Sequence, residues 1–512
     1  MPAVESSVAD ADGYVLTPYT CHHHPGLDPL RAEWVARRQG FAPRAIGTAC
    51  ELGFGQGLSL AIHATAGDVE WWGTELNPQH VALTHALLPD AAARQRIRAA
   101  SFRDFFADTN LPQFDFIALH GVWSWISSGN RLAISEFIKR KLAPGGLLYV
   151  SYNAMPGWSS ALSLRELLVA HANRSSQRHL TLDVRIEQAL EYAVSVAAAN
   201  PLWLQTLPQA ERQLRDIRHR SPAYLAHEYF NRDWRAWHYA ELAQVLEPSG
   251  LHYVGQADCS DGYDVWRFSA AQLQLLAACD DVSLRETTRD LLLDRRFRRD
   301  IWCRGAPQNK SPSPSLSVDP SLSRQRLLLQ ERYSFNGSPD LSAVSQLRDR
   351  FSAAGGTATV SELIGSLDDE RALAWLWRAG EIGLARACSA DATRHASVRA
   401  LNESLLELAW SRSDISALAS TVTGTGVELD WVELALLRAC LARRGVAECV
   451  VEVEARARAL SAPLVAADGL QVEAHSRLEW LGKRLQRVRE RHKRYQDGFA
   501  LPLSGLPVFE SA

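Results

Sequence analysis

The 512-residue chain is poor in cysteine, methionine and lysine, with eight, two and five of them. The cysteines, at Cys21, Cys50, Cys259, Cys279, Cys303, Cys388, Cys440 and Cys449, form no C-x-x-C pair. That spacing argues against a disulfide framework or a zinc knuckle and leaves buried, reduced thiols as the expectation. No apolar run reaches ~18 residues without charges, so no membrane span is expected. The opening MPAVESSVADADGY lacks the basic and apolar regions of a signal peptide, and a cytoplasmic location is expected. Excess charge of one sign is missing too. The formal charge is −3, which disfavours a surface that coats nucleic acid. The few lysines reflect a bias to arginine that nucleotide composition alone can produce, so it carries no function.

What is present is a globular composition, 46% apolar and 22% charged. Residues 44–150 alternate strand-like and helix-like patterns. Strands are expected at 45–52, 69–75, 97–101, 114–120 and 147–152, with helices at 58–66, 78–88 and 131–142 between them. This alternation predicts an α/β fold with a parallel sheet covered by helices on both faces. After Trp158 amphipathic helices dominate, at 159–172, 186–199, 210–219, 223–229 and 236–246, then a strand at 251–256 and one long helix at 283–299.

Residues 305–330 begin GAPQNKSPSPSLSVDPSLSRQ and read as a Pro/Ser-rich linker. The organisation expected is therefore 1–160 catalytic, 161–304 helical, 305–330 linker and 331–512 mainly helical, with a winged-helix-like portion at 340–390. A closing helix at 477–494 carries eight Lys/Arg against Glu479 and Glu490, which reads as a solvated basic face.

The most informative segment is Glu51-Leu52-Gly53-Phe54-Gly55-Gln56-Gly57, between the first strand and the first helix. Glycines let a backbone turn tightly and approach a ligand closely. A second acid, Glu75, ends the next strand, 18 residues after Gly57. A carboxylate there can accept both hydroxyls of a ribose. A nicotinamide cofactor would favour G-x-G-x-x-G, but Leu58 takes the third-glycine position. The acid–glycine pattern instead fits S-adenosyl-L-methionine. Glu51 would order the loop at the amino-acid end, Glu75 would hold the ribose, and Phe102 or Asp104 would meet the adenine. His120 closes the fourth strand, where open α/β sheets place their ligands. The adjacent His22-His23-His24 point to alternate faces of an extended segment without acids or cysteines nearby, so an exposed loop is expected and no metal.

Two further motifs, His120-Gly121-Val122-Trp123-Ser124-Trp125-Ile126 and Tyr149-Val150-Ser151-Tyr152-Asn153-Ala154-Met155-Pro156-Gly157-Trp158, extend the pattern. With the glycine turn, the chain resembles the class I S-adenosylmethionine-dependent methyltransferases. More narrowly it resembles a bacterial group with a "methyltransferase regulatory domain", which includes rickettsial-type protein-lysine methyltransferases acting on outer-membrane proteins. Tyr14, Pro18, Tyr19, Pro25 and Leu30 match that group's leading segment. Tyr224-Leu225-Ala226-His227-Glu228-Tyr229 and Arg295-Arg296-Phe297-Arg298 match its regulatory part. The resemblance covers about residues 14–303. It implies a Rossmann-like class I methyltransferase sheet followed by mainly helical regulatory and C-terminal domains. It also implies Tyr19 at the cofactor. Phe54 and Trp123 depart from the group's usual residues, and the second departure leaves the acceptor open.

Methyl transfer from a sulfonium is an in-line displacement, so the protein's task is to hold donor and acceptor in contact. The expected acceptor-side residues are His120, Trp123, Tyr152 and Asn153. Trp125 and Trp158 complete an aromatic wall that suits an ammonium or packs between domains. The expected activity is methyl transfer to a protein side chain, lysine first. The alternatives are a small-molecule or glycan acceptor and a non-catalytic protein with a vestigial cofactor fold. A protein substrate is the expected partner, nucleic acid is not, and a homodimer stays open.

Overall fold

The computed structural model describes residues 21–307, 325–329, 342–378, 382–385, 392–442, 445–462, 464, 471–473, 476–494 and 499–501, less 178, 221, 259 and 265–266. Tyr14, Pro18 and Tyr19 and most of the expected linker lie outside the described residues.

A seven-stranded sheet forms the centre, in the order β3-β2-β1-β4-β5-β7-β6. Its strands are β1 (Thr48–Leu52), β2 (Glu70–Glu75), β3 (Ile97–Ala99), β4 (Phe114–Leu119), β5 (Leu142–Asn153), β6 (Leu251–Gln256) and β7 (Phe297–Arg304). The first five are parallel to one another, while β7 runs antiparallel between β5 and β6. All six residues of β4 are buried, as a near-continuous apolar strand covered on both faces requires. Its one acid, Asp115, lies at the strand's start. There it accepts the N–H groups of Gly47 and Thr48 at 2.9 Å and pairs with Arg44 at 2.6 Å.

The helices α1 (Pro29–Arg38), α2 (Leu58–Ala66) and α3 (Pro78–Leu87) flank the sheet. Asn77 caps α3 by accepting the Gln79 N–H, and Pro78 occupies its first turn, where no N–H is needed. Leu58–Ala66 is buried almost all round, because the C-terminal region covers the side that a surface helix would expose.

Two expectations need correction. Residues 283–299 are not one helix. A helix spans Val282–Leu293, Asp294 turns left-handed, and the basic run becomes strand β7. Arg298 lies fully buried in that strand and pairs with Asp290 at 2.7 Å, Glu286 at 2.9 Å and Asp300 at 3.0 Å. Buried charges persist when paired and hydrogen-bonded in this way. Secondly, 161–304 is not a separate helical body. Its last two strands, β6 and β7, complete the sheet that residues 48–153 begin.

After β7 the chain adds two further units. Within 326–385, β8 (Arg326–Leu329), β9 (Thr357–Thr359) and β10 (Ile382–Ala385) form a three-stranded sheet in the order β10-β8-β9. The helices Ser342–Ala353, Val360–Leu363 and Leu367–Arg378 accompany it. Beyond it, helix Ala392–Ser411 and the hairpin β11 (Ala417–Ser420) and β12 (Thr425–Glu428) lie on α2. The basic helix Arg477–Arg494 packs through Leu481, Leu485 and Val488, all buried. No described helix is long and apolar enough to cross a membrane.

Candidate cofactor and acceptor site

A cavity of about 560 Å³ opens at the carboxyl ends of β1, β2, β4 and β5, a volume ordinary for small-molecule sites. This is where open α/β sheets bind ligands. The glycine turn after β1 forms its floor. Gly53, Gly55 and Gly57 all have positive φ, at 71°, 59° and 72°. At Gly57 a Cβ would stand 2.0 Å from Thr84 Oγ1, so the turn tolerates no side chain there. At Gly55 a Cβ would meet nothing within 4 Å, which is the open space a ligand needs.

Glu51 ends β1 beneath that turn. It is buried, and its Oε2 has no hydrogen-bond partner. Burial, with Glu75 nearby, pushes its pKa up to about 8. Glu75 closes β2 and lines the same cavity. Its Oε2 accepts the Gly55 N–H at 2.9 Å and its Oε1 the Asn77 N–H at 3.0 Å, so it also fixes the turn. Each carboxylate oxygen keeps a second lone pair for a ligand.

Phe102 lines the cavity, but Asp104 does not. Asp104 is exposed in the first turn of helix Phe102–Ala107, bonded to the capping Ser101. The structure therefore does not place Asp104 at the expected adenine contact: its side chain meets Ser101 at the start of the helix.

His120 follows β4. Its Nδ1 lies 2.7 Å from the Tyr149 hydroxyl, and its ring stacks on His24 with centroids 3.8 Å apart. Burial pushes both histidines down, His24 to about 4, and Arg299 adds to the effect on each. Both rings are therefore neutral at pH 7. Burial raises the Tyr149 phenol, which keeps its proton and can donate it to Nδ1. His120 then carries its own proton on Nε2, as a donor rather than a base.

The histidine segment, expected as an exposed loop, is thus exposed only at His22. His24 lines the cavity beside His22, and His23 is 4% exposed. No described group of His, Cys, Asp and Glu is arranged to hold a metal ion.

The acceptor-side residues divide by strand geometry. Successive residues in a strand point to opposite faces. Tyr149, Ser151 and Asn153 face the cavity side of β5, whereas Tyr152 faces away. Tyr152 is fully buried and donates to Asp300 at 2.7 Å. Trp123 is likewise 1% exposed and packs against Trp237, outside the cavity. Asn153 does line the cavity; its backbone N–H bonds Ser124 Oγ, and its Nδ2 has no partner. Trp125 and Trp158 line it too.

The rest of the wall comes from later in the chain: Tyr224, His227 and Glu228 of helix Pro222–Glu228, then Asn231, Arg296 and Phe297. The motifs at 224–229 and 295–298 were visible in the sequence as a likeness, but nothing local tied them to a cavity.

The strand order, the antiparallel β7 and the site at the β1–α2 turn define the fold of the class I methyltransferases. Residues 221–304 match the family model described as "Predicted methyltransferase regulatory domain". PKMT2 from Rickettsia typhi, solved in complex with AdoHcy, superposes with a TM-score of 0.63 at 16% identity, over 93% of this chain and 99% of that one. Among curated proteins, an uncharacterised Synechocystis protein is 35% identical over 258 residues, half of each chain. An uncharacterised Rickettsia prowazekii protein is 23% identical over 315 residues, 58% of this chain and 53% of its own. The chain thus spans about half the length of the curated relatives it matches. The matched regulatory region contains β6, β7 and the late wall of the cavity, so it is built into the sheet and the site.

Proposed function

We propose that the protein is an S-adenosyl-L-methionine-dependent methyltransferase acting on a protein side chain, lysine first. The observation that carries this reading is Glu51, a buried carboxyl with an unpartnered oxygen, beneath three left-handed glycines and opposite Glu75. Such a pair suits a ligand with an ammonium group at one end and a ribose at the other. When bound, the cofactor supplies an electrophilic methyl sulfonium. Glu51 accepts a hydrogen bond from its ammonium, Glu75 accepts from the ribose hydroxyls, and Phe102 packs on the base. The fold shared with PKMT2 and the matched regulatory region support the same reading.

On the acceptor side, Trp125 and Tyr224 present aromatic rings with Glu228 beside them, while the Trp158 ring carries the Arg296 guanidinium 4.2 Å from its centroid. Aromatic faces and a carboxylate together favour an amine. The amine must reach the methyl group unprotonated. Burial disfavours its charged form, and the Arg296 guanidinium in the same wall does so too. Asn153 offers an unpartnered amide at the same wall. The departure at Trp123 does not bear on the acceptor, since that ring is outside the cavity. A cytoplasmic location accompanies this reading.

The test is methyl transfer from labelled S-adenosyl-L-methionine into an extract of the source cells, with Gly55→Arg as the control. Label in discrete protein bands, absent with the variant, is the expected result. Label confined to small molecules or glycans would move the acceptor class. Failure of the protein to bind the cofactor would leave a vestigial fold.

A further inference from the structure

The cofactor turn touches a residue far along the chain. Arg412, between helix Ala392–Ser411 and β11, donates from Nη1 to Gln56 Oε1 at 2.7 Å, across 356 residues. Its remaining nitrogens hold Asp414 in a two-pronged pair, both bonds 2.5 Å. That carboxylate in turn accepts the Cys21 N–H at 2.9 Å, and Ser416 Oγ lies 3.2 Å from His22 Nδ1. One short loop, 412–416, therefore grips two walls of the cavity: the glycine turn and the histidine segment.

Gln56 is the point of contact. It is 6% exposed, lines the cavity, and its Nε2 has no partner. With its amide oxygen committed to the guanidinium, the amide cannot flip. Its donor end is left for an acceptor oxygen in the cavity. Carboxylate and ribose oxygens of the cofactor are such acceptors. The contact between the two regions is close throughout: a Cβ at Gly426 would stand 2.6 Å from the His23 ring.

We propose that Arg412, held by Asp414, is a positioning residue for cofactor binding, acting through Gln56. The inference rests on the cavity holding S-adenosyl-L-methionine. The C-terminal region is then part of the cofactor site rather than a detachable substrate-recruiting module.

Calorimetry with S-adenosylhomocysteine on the full-length protein tests this without knowledge of the acceptor. Arg412→Ala, which acts on the ligand only at one remove, is expected to weaken binding about five- to tenfold, the scale of one ordinary hydrogen bond. Arg412→Lys should recover part of the loss. The decisive readout is coupling: the Gln56→Ala, Arg412→Ala double variant should bind no more weakly than Gln56→Ala alone. A purely structural role would lower the melting temperature and multiply the two penalties instead, which overturns the proposal. Wild-type affinity in Arg412→Ala overturns it as well. If Arg412→Ala does not fold, Gln56→Ala and Asp414→Asn carry the test, and unchanged affinity in both sinks it. No binding by the wild type would overturn the cofactor reading itself, a result distinct from the others.

Discussion

The two ends of the cavity are built in opposite ways. At the cofactor end, Glu51, the three glycines and Glu75 lie within 25 consecutive residues on one strand–turn–helix–strand unit. At the acceptor end, the wall gathers Trp125, Asn153, Trp158, Tyr224, Glu228 and Phe297 from four separate stretches. The first end is local and constrained by backbone geometry. The second is assembled by the return of the chain into β7. On the proposed reading, cofactor binding sits on the part that local rules define, and acceptor specificity on the part that tertiary structure assembles. The prediction is that substitutions at each end separate cleanly into cofactor effects and acceptor effects.

The sharpest separation comes from the turn. Gly55→Arg places a long side chain in the open space beside a residue at φ +59°. Binding of S-adenosylhomocysteine should fall by more than about 100-fold, since both volume and backbone conformation are lost. Retained affinity in calorimetry would break the comparison at its strongest point. Next in size is Glu75→Gln. An amide cannot accept both backbone N–H groups that the carboxylate now takes, so the turn and the ribose contact suffer together. A loss of about tenfold is expected, the value of one hydrogen bond to a charged group. An unchanged dissociation constant would displace the ribose from Glu75.

At the other end, Trp125→Ala should raise KM for an amine acceptor about fivefold, the equivalent of ~1 kcal/mol for one cation–π contact. The cofactor dissociation constant should not move. A shift in cofactor affinity instead would mean that the two ends are not separable.

The same contrast explains what could be read from the chain alone. The β1 turn and Glu75 were legible because a strand–turn–helix signal is local. Phe102 followed from its place after β3. Tyr152 was misplaced because aromatic content was read without strand direction: Tyr152 and Asn153 are neighbours, so only one of them faces the cavity, while Trp123, in the turn after β4, packs on Trp237 from a later part of the chain. The basic run at 295–299 looked like a helix end because its charges appeared destined for solvent. In the fold Arg298 instead meets Glu286, Asp290 and Asp300 in the interior. The histidine run looked exposed because nothing nearby in sequence covers it. Its cover comes from Ser416 and Gly426, some 400 residues later. Contacts of that range leave no periodic trace.

The smallest expected effect is also specific to the cofactor end, and it is a pH dependence. Without ligand, Glu51 keeps its proton up to about pH 8, mainly because it is buried. The folded protein then binds that proton more tightly than the unfolded chain does. The group's contribution therefore favours folding at low pH and is lost as pH rises from about 4.5 through 8. A cationic ammonium beside it favours the carboxylate, so ligand binding expels the proton. Binding of S-adenosylhomocysteine should weaken by at most about fivefold from pH 8 to pH 7, with up to about one proton released at the lower pH. Calorimetry in two buffers of different ionisation enthalpy measures that proton directly. Glu51→Gln should bind more weakly at pH 8, lose the pH dependence and release no proton. The apo form of this variant should also lose the fall in melting temperature that Glu51 imposes between pH 6 and pH 8. Proton release that persists in Glu51→Gln would assign the titration to another group and leave the ammonium without its partner.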